Sequence, residues 1–221
     1  MIYFNEDFLQ FFKELAANNN KSWFDENRKR YEENIKEPFK KFVSDYIINA
    51  QNIDNELQIT YKEAIFRINR NIRFSKDKTP YKTKMSAIIS KYGRKDKIYP
   101  GVYFEMGPEH IRFYSGIYMA DSKLLNKIRG YIAKNYKSFE KIKNNKKFVK
   151  TFNEILGQKN KIINKEFKAI GNIEPLMYNK QFYIYTQLAP EFALDDKLMQ
   201  MLLEFHKTAS PFINFFKKAV S

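Results

Sequence analysis

The stretch GVYFEMGPEHIRFYSGIY, residues 101–118, decides what kind of fold this chain can form. Apolar side chains recur at every second position on both sides of Gly107-Pro108-Glu109. That is the period of a strand with one buried face, and the Gly-Pro pair marks a turn between two such strands. Upstream the period persists: Met85, Ala87 and Ile89 alternate with Ser86, Ile88 and Ser90, and Ala64, Phe66 and Ile68 alternate with Ile65 and Arg67. Four antiparallel strands joined by short turns are expected here, and QFYIYTQL at 181–188 adds one more.

Outside this region the period becomes helical. Phe8, Phe11, Phe12 and Leu15 follow Asn5, a candidate N-cap, and AANNN ends that helix. A second helix is expected from Ser22, with Pro38 kinking or dividing it because proline lacks the N–H donor. Asp121 is placed to cap a helix built on Leu124, Leu125, Ile128 and Ile132, and a lysine-rich helical stretch follows to Gly157. Asp195 or Asp196 begins a closing helix through Leu198, Met201, Leu202 and Phe205. Ser210-Pro211 reads as the N-cap and first residue of a last short helix. The expectation is α+β: one domain over residues 1–221, with helices at 5–50 and 121–219 packed on a mostly antiparallel sheet of about five strands in 61–118 and near 181–188.

Composition narrows the function. There is no cysteine, which removes disulfides, thiolate metal sites and cysteine nucleophiles and suits a reducing compartment. MIYFNEDFLQFF lacks the basic start and unbroken apolar run of a signal peptide, and no stretch approaches the ~18 apolar residues of a membrane span. A cytoplasmic protein without a membrane partner is expected. The formal net charge is +15, of which residues 67–84 carry +6 and residues 134–168 carry +8.

The first of these basic segments reads RINRNIRFSKDKTPYKTK, and it holds three of the eight arginines within seven residues. Arg67, Arg70 and Arg73, spaced by three, converge in a turn or an irregular loop. Pro80 makes Thr79 extended, so Ser75 to Thr79 is a loop carrying Lys76, Asp77 and Lys78. The expected ligand-binding set is Arg67, Arg70, Arg73, Lys78 and Tyr81, supported by Asn71, Phe74 and Asp77. Arginine offers permanently charged, bidentate recognition, so the ligand is expected to be an anion carrying phosphate, either a nucleotide or a nucleic acid. The competing account is an ion-pair network in which these arginines fasten the sheet through Glu63, Asp77 or Glu105.

This stretch resembles the signature RxxRDxRFxxxKxxY of the domain of unknown function 2461, a bacterial family with fungal relatives, through Arg67, Arg70, Arg73, Phe74, Lys78 and Tyr81. NNNKSWFDENRKRY and PGVYFEMGPEHIRFYSGIY are similar in placement. Asn71 stands where the family pattern has aspartate; it keeps an orienting hydrogen bond and loses the capacity to act as a base or metal ligand. The resemblance implies a shared site and no reaction.

A nucleic-acid track would require residues 134–168 to lie beside the motif, with Tyr81, Tyr103, Phe113 and Tyr114 as stacking faces. Otherwise those lysines are a solvated helix face backed by Phe139, Ile142, Phe148 and Phe152. An enzyme acting on an anionic substrate would draw its proton carrier from Asp77, His110, Glu105 and Tyr81. No catalytic residue is assigned, and no metal, cofactor, P-loop, HExxH or Rossmann fingerprint is expected. A module for an acidic protein partner is the third reading.

Overall fold

The alternation at 101–117 builds the centre of the fold. In a computed structural model describing residues 1–96 and 98–221, four strands, β1 (Met85–Ile89), β2 (Gly101–Met106), β3 (Ile111–Ile117) and β4 (Phe182–Leu188), pair antiparallel in the order β1-β2-β3-β4. Phe104 lies opposite Phe113, Tyr103 opposite Tyr114, and Tyr114 opposite Tyr185. The Gly107 N–H donates to the His110 carbonyl at 3.2 Å to close the expected turn.

The strand expected at Ala64–Ile68 is not formed. Tyr61–Ala64 is instead a short helix, begun by a Glu63 carboxylate that accepts from the Thr60 N–H (3.0 Å) and hydroxyl (3.1 Å). The chain then runs beside β1 through isolated bridges only, Ile65 to Ala87 and Asn69 to Tyr81. Between them the Arg67 carbonyl accepts from the Lys82 ammonium at 2.8 Å rather than from a ladder N–H. Local capping and a side-chain donor outcompete a fifth regular strand. This segment still covers the β1 edge, as bridges from Leu156 and Lys159 cover the β4 side.

The remaining helices are α1 (Glu6–Ala17), α2 (Lys21–Glu26), α3 (Arg28–Tyr31), α4 (Glu37–Ala50), α5 (Tyr61–Ala64, above), α6 (Ser122–Lys134), α7 (Tyr136–Lys143), α8 (Lys146–Phe152), α9 (Lys168–Ile173) and α10 (Leu198–Val220). The division expected at Pro38 is a π turn over Glu32–Lys36, in which the Glu37 N–H reaches back to the Glu32 carbonyl and Pro38 sits in the first turn of α4. Asp121 caps α6 through the Leu124 N–H at 2.7 Å, as its position predicts. Ser210-Pro211 does not start a new helix: α10 runs unbroken through it. Leu202, His206, Ala209, Phe212, Ile213 and Phe216 form one buried stripe across that point, and the continuous burial outweighs the hydrogen bond proline removes. No helix among the described residues is long and apolar enough to cross a membrane.

The helices bury one face of the sheet. Ala87, Val102, Phe104, Met106, Ile117, Phe182 and Ile184 are fully buried there, each large side chain contributing ~1.5 to 3 kcal/mol. Phe104 meets Phe42 and Tyr46 of α4 (5.8 and 5.1 Å), Phe113 meets Phe152 of α8 (6.1 Å), and Phe182 meets Phe216 of α10 (5.3 Å). Phe139, Phe148 and Phe152 are buried in the same core, so Lys137 and Lys141 of α7 and Lys146, Lys147 and Lys150 of α8 lie exposed on the solvent side, whereas Lys143 reaches the buried Glu174.

Charged groups inside this core are paired or hydrogen-bonded, whereas the side chains of Ser90 and Asn179 are buried without a hydrogen-bond partner among the described residues. The Lys217 ammonium donates to Asp54 (2.7 Å) and Glu56 (3.0 Å), and the Tyr99 hydroxyl donates to Glu56 (2.9 Å). Lys217 and Tyr99 together hold the Glu56 carboxyl near pKa 2. The Arg129 guanidinium, buried without a carboxylate, donates to the carbonyls of Met177 (2.8 Å) and Asn179 (3.3 Å), tying α6 to the entry of β4.

His206 lies 3.2 Å from the Tyr46 hydroxyl, and burial pushes its pKa down from 6.5 to about 4, with Asp54 opposing and Lys217 adding to the shift. The unfolded chain therefore binds the extra proton first as pH falls, and stability is lost between about 6.5 and 4. Denaturant titrations of His206→Gln should show a loss between about pH 7 and pH 4.5 that is smaller than wild type by about 2 kcal/mol.

Candidate functional site

Arg67, Arg70 and Arg73 do not meet. The chain from Arg70 to Pro80 is a loop without helix or strand, and the three arginines have separate surroundings. Arg70 donates to the Asp77 carboxylate and to the Thr79 hydroxyl, and Asp77 accepts the Thr79 N–H at 2.9 Å, so this arginine braces its own loop. The Thr79 N–H and Arg70 together hold the Asp77 carboxyl near pKa 2. Arg73 lies over the Phe74 ring at 5.1 Å, and that ring is 88% exposed, so it anchors nothing in the core. Lys78 donates to the Ile72 carbonyl at 3.0 Å, and Asn71 accepts from the Arg73 N–H at 3.4 Å. Glu63 and Glu105 take no part: the network expected as the alternative is confined to Arg70, Asp77 and Thr79.

Arg67 and Tyr81 share a different setting. Both line a concave groove of about 420 Å³ between the helical rod of residues 28–40 and the segment 61–69. The rod contributes Arg28, Glu32, Lys36 and Lys40, the segment adds Lys62, and Arg94 approaches from beyond β1. Six cations thus surround one carboxylate. Arg28 is paired with Asp25, Lys36 with Glu32 (2.6 Å) and Lys40 with Glu37 (2.5 Å). Arg94 donates only to carbonyls, those of Glu63 (3.2 Å) and Lys62 (2.5 Å). The side chains of Arg67 and Lys62 have no hydrogen bond or ion pair among the described residues. Among the described residues, three cations in one concavity therefore have no ion-pair partner.

Tyr81 forms the floor. Its ring stacks on Phe24 at 4.0 Å and 15°, and Asn19 holds its backbone from both sides (2.9 and 3.1 Å). The loop therefore returns to the core at Tyr81, which places Arg67 at the groove through the neighbouring Asn69–Tyr81 bridge.

A second polar cluster sits on the sheet face that the helices leave open. Glu105, buried on that face, accepts from Lys84 (2.7 Å), the Tyr103 hydroxyl (3.0 Å) and His110 Nε2 (3.4 Å), with Arg112 at 3.9 Å. Burial pushes its carboxyl up, but Lys84, Tyr103 and His110 outweigh that and hold it below the ordinary carboxylate range. Of the four residues weighed as proton carriers, Glu105 and His110 are together, whereas Asp77 is in the loop and Tyr81 in the core. A carboxylate held ionised by this many donors is a weak proton acceptor at neutral pH.

Sequence reasoning passed over Arg28, Lys36 and Lys40, although with Glu32 they repeat every four residues, the spacing of one helix face. Lys62 and Arg94 carry no such signal, since only the tertiary fold brings them to the groove.

Fold and site together define an α+β protein with an open antiparallel sheet and a basic groove at one edge. A family model described as a conserved hypothetical protein (DUF2461) matches residues 7–215, and the chain belongs to that family. No curated protein and no solved structure matches it.

Truncating Glu105 leaves Lys84 and Arg112 facing each other without their shared anion. Glu105→Ala should cost about 1 to 3 kcal/mol in chemical denaturation, and Glu105→Gln, which still accepts from Tyr103, should cost less.

Proposed function

We propose that this protein binds an anionic, phosphate-bearing ligand in the basic groove, with Arg67 as the principal contact. The observation that carries this reading is Arg67, an exposed residue in a concavity with five further cations and a single carboxylate. A planar guanidinium with no hydrogen bond or ion pair among the described residues is ready for two oxygens of one phosphate, whereas Lys62 and Arg94 add charge from the flanks. The volume of about 420 Å³ is that of a small-molecule pocket. Arg70, Arg73 and Lys78 then serve the loop that positions the groove, and act on the ligand as nearby positive charge. The cysteine-free composition fits a cytoplasmic setting for this activity.

The test is a thermal-shift series of wild type, Arg67→Ala and Arg70→Ala against phosphate, tripolyphosphate and nucleotides at low and moderate salt. Arg67→Ala should keep the melting temperature of the free protein and lose roughly tenfold or more in affinity. Arg70→Ala should keep most of the binding. Equal stabilisation of wild type and Arg67→Ala by every phosphate compound would refute the assignment.

A further inference from the structure

The uncovered face of the sheet holds a concavity of about 560 Å³, larger than the basic groove, and Tyr99, Tyr103, Tyr114, Tyr118 and Tyr183 are among its lining residues. Its floor is bare. Gly101 and Gly116 lie opposite each other in register. A side chain at Gly101 would come within 2.5 Å of the Ile89 carbonyl oxygen, and one at Gly116 (φ +126°) would strike the Phe182 carbonyl. Backbone crowding thus explains both glycines, and the consequence is a shallow cup of peptide surface.

Aromatic rings surround that cup. Tyr103 and Tyr114 are cross-strand neighbours at 5.9 Å, Tyr114 and Tyr185 stack at 5.7 Å, and Tyr118 meets Tyr183 edge-on at 5.6 Å. Tyr118 is 65% exposed and Tyr185 39%. The hydroxyls of Tyr118, Tyr183 and Tyr185 have no hydrogen-bond partner among the described residues. Such rings expose flat faces and unused polar tips, which a core would not leave.

On this face the buried Glu105 is approached by two cations, Lys84 at 2.7 Å and Arg112 at 3.9 Å. The two concavities also adjoin: Phe66 lines both, with its ring 6.0 Å from Tyr103 on one side and the backbone of Arg67 following on the other. Flat rings on one side of Phe66 and unpaired cations on the other match a ligand that alternates bases with phosphates.

We infer that the ligand is a single-stranded nucleic acid, with its bases on the tyrosine-lined sheet face and its phosphates in the basic groove. This rests on the anion-binding reading above and adds the chemical class. A duplex keeps its bases inside and offers nothing to the tyrosines. One nucleotide fills only one of two concavities that are each the size of a whole small-molecule pocket. The chain's isoelectric point near 9.6 fits a polyanion partner.

Fluorescence anisotropy of a labelled single-stranded 12-mer of mixed sequence tests this, with the matching duplex, a mononucleotide and tripolyphosphate as competitors. Wild type should bind the strand in preference to all three. Tyr118→Ala and Tyr183→Ala should each weaken the strand roughly tenfold and leave tripolyphosphate affinity and melting temperature unchanged. Arg67→Ala should weaken strand and tripolyphosphate alike and flatten the salt dependence of strand binding. A strand that binds both tyrosine variants as well as wild type, or no better than its duplex or a mononucleotide, overturns the inference and leaves the anion groove standing. Absence of both strand and tripolyphosphate binding overturns the two together.

Discussion

Everything in this molecule depends on the register of the β1-β2-β3-β4 sheet. Because side chains alternate between faces, pairing Phe104 with Phe113 and Tyr103 with Tyr114 sends all the phenylalanines to the helices and all the tyrosines to the opposite side. A slip of one residue would bury Glu105 and Arg112 among Phe42, Phe39 and Tyr46 and expose Phe104 and Phe113. The buried cluster that spans α1, α4, α8 and α10 forbids that slip, since each large side chain lost from it costs more than a ladder hydrogen bond contributes. The apolar core and the tyrosine-bearing surface are thereby separated onto two faces of one sheet.

The edge of the sheet is where the candidate site arises. The segment 65–69 is held beside β1 by isolated bridges, so its side chains are not bound to regular alternation. Phe66 turns to the open face and Arg67 to the groove. Meanwhile side chains of the loop that follows bond within it: Arg70 with Asp77 and Thr79, Lys78 with a carbonyl, Arg73 with the Phe74 ring. A loop braced in this way can be long and polar without demanding a ligand for its own integrity. Arg67 takes no part in that bracing.

Buried charge elsewhere follows a consistent rule. Lys217 sits between Asp54 and Glu56, Lys143 meets Glu174, and Arg129 is wrapped by carbonyls. These groups are saturated, as buried ions must be. In the groove the balance differs: it is concave, and Arg67, Lys62 and Arg94 form no ion pair among the described residues. That contrast between satisfied interior charge and unpaired concave charge is what the proposed anion site rests on.

The amino-acid sequence by itself determined the α+β class, the hairpin at Gly107-Pro108, the Asp121 cap and the helical termini, because periodicity and capping are local properties of neighbouring residues. It also singled out the segment containing Arg67. What it left to the tertiary structure was convergence. Arg67, Arg70 and Arg73 look like one cluster at a spacing of three, yet the backbone between Ile65 and Tyr81 separates them, and Arg67 joins Arg28, Lys36, Lys62 and Arg94 instead. Tyr103 and Tyr114 alternate along their strands as buried residues would, and only the packing of the helices on the other face leaves them on the open side. Likewise, Pro211 reads as a helix start until the stripe on α10 is seen to be buried on both sides of it. Each of these outcomes depends on which distant surface an element meets, and burial and electrostatic interaction act through space with no record in the spacing along the chain.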